Sequence, residues 1–298
     1  MSSLQIAMLG SFALTEEGQP IELNIAKLQA LLAYLAVTAK AQTREQILAL
    51  LWAESHPDAA RKNLRNRLWQ LRQQTVDDLL ITEGETLALA PAVQSDVTRF
   101  ERGLDAALQA PQLDPSSLTA LLALWRGPLL DGLQLHEAPD FELWLAQQRE
   151  RLGQRYLQAI QALLTHHATR AEWHEVVTLA QRGLAHDPYH EPLYQQLMIG
   201  HAQLGQRGEA LRQYDRLQAL FATELALSPL PETEEIRRLI AAGQPLPGAT
   251  QPAQAGVVAS GTSVVNSGVS DQGADLPNRG SQPFIGRVTE LAALTAAL

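Results

Sequence analysis

Apolar residues follow two different periods along this chain. Before residue 24 they come in short runs. Leu4-Gln-Ile-Ala-Met-Leu9 runs to Gly10, Phe12-Ala-Leu-Thr15 enters the turn Glu16-Glu-Gly-Gln19, and Ile21-Glu-Leu23 alternates apolar and polar. Runs of this length bounded by turn residues predict strands. From residue 26 the spacing lengthens, and Leu28, Leu31, Leu32 and Leu35 fall on one face of a helix over about 26–39. Thr43-Arg-Glu-Gln46 has the capping-box spacing and opens a short helix from Arg44 to about Trp52. Pro57 and Asp58 open a third helix, with Asp58 expected as N-cap. Leu64, Leu68 and Leu71 then mark its buried stripe at i, i+4 and i+7. Leu79-Leu-Ile-Thr-Glu-Gly-Glu-Thr-Leu-Ala-Leu89 predicts a β-hairpin around Gly84.

From about 96 to 241 the pattern is almost wholly helical, with helices expected at 96–110, 115–126 and 140–168. Glu175-Val-Val177 and Glu209-Ala-Leu211 lie 34 residues apart, the tetratricopeptide period. The first copy ends at Asp187-Pro188 and the second near Ser228-Pro229, and Glu191–Leu204, closed by Gly205, supplies a partner helix between them. Each helical pair leaves an apolar face open until a neighbour stacks on it. Residues 243–282, rich in Gly, Pro, Ser, Ala, Gln and Val, predict a flexible linker. Helical pattern returns after Gly286, as at the entry to a further module. The expected fold is mainly α with a small β component. A winged helix-turn-helix domain (1–95) precedes an α-helical TPR-like repeat domain (96–242), the linker, and the start of a module at 283–298.

Charge sharpens this picture. The 298 residues carry a formal net charge of −9, yet the stretch from Ala59 to Gln74 holds Arg61, Lys62, Arg65, Arg67 and Arg72 and no acid. Opposite the leucine stripe, Lys62, Arg65, Asn66, Trp69, Gln70 and Gln73 share a side. Such groups pair with phosphates or bond to base edges. The order strands, three helices, hairpin is that of a winged helix whose third helix enters the major groove. Arg61, Lys62, Arg65, Asn66, Trp69, Gln70 and Gln73 are therefore the candidate DNA contacts, with Asn66, Gln70 and Arg65 best suited to bases. Arg44 either meets a backbone phosphate or is an ordinary surface residue. Arg67, nearer the side of the wheel, is either a contact or a structural ion-pair partner. Trp69 either touches the DNA backbone or is partly buried at an interface. In the hairpin, Glu83 and Glu85 repel phosphate, while Thr86 retains a hydroxyl able to donate to one.

Other chemistry is poorly supported. The absence of cysteine excludes disulfides, Cys-ligated zinc and thiol catalysis. His166 and His167 are adjacent and His186 and His190 flank Pro188, so neither pair makes a plausible metal site, and no HExxH occurs. Asp77, Asp78, Glu83 and Glu85 cluster without a nucleophile or base, so no enzyme is expected. Trp125, Trp144, Trp173, Tyr189 and Tyr194 are expected mostly in the core. No signal peptide or apolar membrane span is evident, and a cytoplasmic location is expected.

Over roughly residues 4–241 the chain resembles the SARP/AfsR-type bacterial transcriptional regulators, which join an OmpR/PhoB-like winged helix to a bacterial transcriptional activation domain. The resemblance rests on Leu9-Gly-Ser-Phe12, Lys27-Leu-Gln-Ala-Leu-Leu-Ala-Tyr-Leu35, Ile47-Leu-Ala-Leu-Leu-Trp52 and Ala60-Arg-Lys-Asn-Leu-Arg-Asn-Arg-Leu68. It continues in Leu124-Trp-Arg-Gly-Pro-Leu-Leu130, Phe141-Glu-Leu-Trp-Leu145, Glu150-Arg-Leu152, Ala210-Leu-Arg-Gln-Tyr214, Glu224-Leu-Ala-Leu-Ser-Pro229 and Pro231-Glu-Thr233. Phe284-Ile-Gly-Arg287 with Glu290-Leu291 looks like the entry to a STAND-type ATPase module, although no phosphate loop is present and no cofactor is expected. The resemblance implies a sequence-specific activator that binds double-stranded DNA, contacts RNA polymerase and pairs as a homodimer through its helical domain. Two other readings stay open: a TPR-type interaction scaffold, or a regulatory fragment of a STAND ATPase without direct DNA binding.

Overall fold

The computed structural model describes residues 4–75 and 79–246; Asp77, Asp78 and the motif at 284–291 lie outside the described residues. The chain is mainly helical with a small β component. Strands β1 (Leu4–Ala7), β2 (Ala13–Glu16) and β3 (Gln19–Ile21) form an antiparallel meander, and a two-residue strand β7 (Gln94–Ser95) pairs parallel to β1. The third strand was expected at 21–23 but lies at Gln19–Ile21. The turn at Glu17-Gly18 has positive φ at both residues, which sets Glu16 opposite Gln19 and starts the pairing there. Leu23 lies beyond the strand, buried, with its carbonyl accepting from Gln29 Nε2 at 2.6 Å.

Helices α1 (Ala26–Thr38), α2 (Arg44–Trp52) and α3 (Pro57–Gln74) follow. Thr43 caps α2 through a complete capping box with Gln46. Asp58 is not the N-cap of α3. His56 holds that place, Pro57 occupies the first turn, where its missing N–H costs nothing, and Asp58 lies one residue further in. The hairpin β5 (Leu80–Glu83) and β6 (Thr86–Leu89) turns through Gly84, at φ +56°. A two-residue strand β4 (Gln42–Thr43) extends it into a three-stranded sheet.

The remaining helices are α4 (Asp96–Gln109), α5 (Pro115–Leu122), α6 (Pro139–Thr169), α7 (Trp173–His186), α8 (Glu191–Gln203), α9 (Arg207–Leu220) and α10 (Pro231–Ala242). Helix α5 was expected to reach residue 126 and stops at Leu122. Beyond it the chain is claimed by the first strands. Arg126 N–H donates to Leu9 O (3.0 Å), Gly10 N–H to Pro128 O (3.1 Å) and Leu130 N–H to Met8 O (2.9 Å). Gly10 sits at φ +116°, and a Cβ there would lie 3.0 Å from Arg126 Cβ, so the close approach needs glycine.

Asp96 secures the same junction. Its carboxylate is buried and accepts from the N–H groups of Met8 (2.8 Å) and Leu9 (3.0 Å), and from Arg126 Nη2 (2.9 Å). Burial pushes this carboxyl above the usual range, against the opposing pull of those backbone donors and Arg126. Buried apolar side chains from Leu4 to Leu197 accordingly form one continuous cluster. Val176 and Ala210, and Ala180 and Tyr214, are pairs 34 residues apart in α7 and α9, and all four are buried. Residues 243–246 were placed in the linker, yet Leu246 is buried against a core of Met198, Ile236 and Ile240; from residue 247 the linker lies outside the described residues.

Candidate nucleic-acid interface

Helix α3 is amphipathic in the way its sequence demands. Ala60, Leu64, Leu68 and Leu71 are buried, while Arg61, Lys62, Asn63, Arg65, Asn66, Trp69, Arg72 and Gln73 are exposed. Asp58 in the first turn and Arg72 in the last oppose the helix dipole favourably. Trp69 is 64% exposed, the most exposed large apolar side chain among the described residues. Partial burial of this indole within the chain is therefore not what the fold does with it.

The electrostatics separate the cations. Arg61 pairs with Asp58 at 3.4 Å, but both side chains are mostly exposed, so the pair contributes little. Lys62, Arg65 and Arg72 have no ion-pair partner among the described residues. Arg67 is half-buried and donates to Gln70 Oε1 at 2.8 Å, a hydrogen bond along the helix rather than an ion pair. The Gln70 carbonyl is held, while its amide N–H₂ has no partner among the described residues.

Lys62, Arg65, Asn66, Trp69 and Gln73 thus share one open face of α3, with Arg61 beside it and Gln70 partly withdrawn. Arg44 and Thr86 stand apart, at the hairpin. The Arg44 backbone N–H donates to Glu85 O at 2.8 Å, and its guanidinium lies 4.0 Å from the Glu85 carboxylate. The Thr86 hydroxyl donates to Glu83 O at 2.9 Å, so its proton is already committed inside the turn. Glu83 and Glu85 are exposed at the hairpin tip. Arg72 was not singled out from the sequence as a contact. It lies seven residues beyond Arg65 on the same side and borders, with Leu80 and Thr82, the seam between α3 and the hairpin. Its i+7 spacing from Arg65 was the signal available.

Among the described residues, no group of three or more His, Asp or Glu side chains is placed to hold a metal ion, and no helix is long and apolar enough to cross a membrane.

Comparison with known proteins gives these observations a context. Residues 95–241 match the family described as bacterial transcriptional activator domain. The transcriptional regulatory protein MoaR1 of Mycobacterium bovis (strain BCG / Pasteur 1173P2) is 27% identical over 244 residues, covering 77% of this chain and 76% of the relative. The transcriptional regulatory protein EmbR of Mycobacterium tuberculosis (strain ATCC 25618 / H37Rv) is 26% identical over 258 residues, covering 82% of this chain and 64% of the relative. The regulatory protein AfsR of Streptomyces coelicolor is 26% identical over 251 residues, again 82% of this chain but only 25% of the relative. A solved structure of M. tuberculosis EmbR, in complex with a low-affinity phosphopeptide, superposes with a TM-score of 0.65 at 25% identity, covering 83% of this chain and 67% of that one.

Proposed function

We propose that this chain is a transcriptional regulator of the SARP type that binds duplex DNA sequence-specifically, with α3 in the major groove. The observation that carries the reading is the outer face of α3. In a chain of net charge −9, Lys62, Arg65 and Arg72 stand exposed on one helix with no internal anion among the described residues. Phosphates are the anions such a face fits, and Asn66 between the cations has the bidentate chemistry that reads adenine. The similarity to named transcriptional regulators supports the same reading.

In this reading residues 1–95 act as a winged helix whose hairpin is a spacer rather than a reader, because Glu83 and Glu85 repel the backbone at its tip. Arg44 and Thr86 are held by the hairpin itself and contribute less than the α3 face. The helical domain, with its 34-residue period, acts as a TPR-like scaffold for dimerisation and for contact with RNA polymerase, and the output is activation in the cytoplasm.

Selection of bound duplexes from a random library, followed by titration across salt, tests the proposal. One sequence class should be enriched, and affinity should fall steeply between about 50 and 200 mM salt. Lys62→Ala should weaken all duplexes alike and reduce the salt slope by about one. Absence of enrichment together with salt-independent affinity would reject DNA binding by this face.

A further inference from the structure

Helix α4 sorts its charges by side. Its three acids all reach basic partners outside the helix: Asp96 meets Arg126 at 2.9 Å, Glu101 meets Arg151, and Asp105 meets Arg155. Its two arginines, Arg99 and Arg102, are exposed and have no acidic partner among the described residues. Asp96 and Asp105 lie three residues from them on the same helix, a spacing that permits pairing. The fold directs those carboxylates elsewhere.

Both arginines instead line an open groove of about 340 Å³, together with Lys40. The end of α1, the segment that follows β6 and the start of α4 build its walls. Leu35, Leu89 and Val93 supply apolar lining, Gln94 and Thr98 supply polar groups, and no lining residue is acidic. Three cations around one concavity hold a positive potential that nothing lining it neutralises.

We infer that this groove binds a small organic phosphate of about the size of a nucleoside monophosphate. Its volume falls at the low end of the range for small-molecule sites, roughly 300–1,000 Å³. A phosphate monoester carries a charge of about −1.5 to −2 near neutral pH and matches the forked donors of two arginines. The apolar lining receives the organic part. Because the ligand touches α1, the segment after the hairpin and α4 together, its binding ties the base of the hairpin to the first helix of the helical domain. The groove shares no lining residue with α3.

Calorimetric titration of the full chain with AMP and with glucose 6-phosphate tests this, run beside adenosine, inorganic phosphate and an oligo-glutamate peptide. At least one of the two phosphate esters should saturate a single site, adenosine should give no signal, and inorganic phosphate should bind more weakly. The double variant Arg99→Gln/Arg102→Gln should lose at least about tenfold in affinity for that ester, the loss expected from removing charge-assisted hydrogen bonds. Its melting temperature without ligand should match that of the parent, since both side chains are exposed. Failure of both esters to bind, or binding that survives in the double variant, overturns the assignment. Tighter binding of oligo-glutamate than of either ester also overturns it, and gives the groove to an acidic protein segment.

Discussion

The outer face of α3 and the junction between the first strands and the helical domain use the same side chain in opposite ways. Arg126 and Arg149 at the junction, and Arg182 behind it in α7, are internally satisfied. Arg126 meets Asp96, and Arg149 donates to the carbonyls of Leu129 and Leu130, at 2.8 Å each. Arg182 donates to Tyr156 Oη at 2.9 Å and lies 5.8 Å from the centre of that ring. On α3, Arg65 and Arg72 point into solvent with no such partner among the described residues. A satisfied cation holds the fold, whereas an exposed and unpaired one in an acidic chain waits for an anion from outside.

Four experiments test this contrast. The largest effect is expected from Asp96→Ala, which strands the N–H groups of Met8, Leu9 and Val97 and leaves Arg126 without its partner. Unfolding by urea should show a loss of about 1–3 kcal/mol for each N–H left without its acceptor, and an unchanged midpoint would remove Asp96 from its place at the centre of the junction. Next, Arg149→Ala should cost about 1.5–3 kcal/mol by leaving two carbonyls without their charged donor. Arg65→Ala should stay within about 0.5 kcal/mol of the parent in stability while weakening DNA binding. Equal stability losses for these two arginine variants would abolish the distinction.

Within α3, Asn66→Ala should relax preference at one base pair by about 1–3 kcal/mol of discrimination. Gln70→Ala should do less, because the Gln70 carbonyl already accepts from Arg67; binding measured on the selected duplex and its single-base variants reads both.

The smallest effect concerns pH. Burial lowers the pKa of His186, against the pull of Asp187 and Glu150, and that of His190, against Asp187. The His186 ring packs edge-on against Trp125 and Tyr156. With the folded pKa below the unfolded one, the stabilisation is fully present above the unfolded value of about 6.5 and is lost as pH falls through the folded value. The melting temperature should therefore decline as the solution is acidified past that point, and His190→Asn should flatten part of the slope. Helix α3 contains no histidine, so the DNA salt slope should not move with pH. A salt slope that steepened on acidification would place a histidine in the interface.

Much of this was legible in the chain itself. Helices α1 to α3, the Thr43 capping box and the hairpin follow from periodicity and caps, because these depend on neighbours within a few residues. Strands β4 and β7 were not legible, since two residues carry no period. Asp96 has the look of a helix-start residue, and nothing local tells that it is buried against Met8 and Leu9. The cationic face of α3 was legible as a face; the withdrawal of Gln70 onto Arg67 and of Thr86 onto Glu83 was not, because each depends on rotamers chosen in the folded protein.

Residue order alone sets which side of α3 is apolar, where most helices lie, and that an acidic chain carries one concentrated basic helix. These are short-range properties of covalent order and side-chain chemistry. Only the tertiary structure decided which arginines keep a partner. That question is settled by distances between residues as far apart as Asp96 and Arg126, or Arg149 and Leu129, which packing brings together and periodicity cannot express.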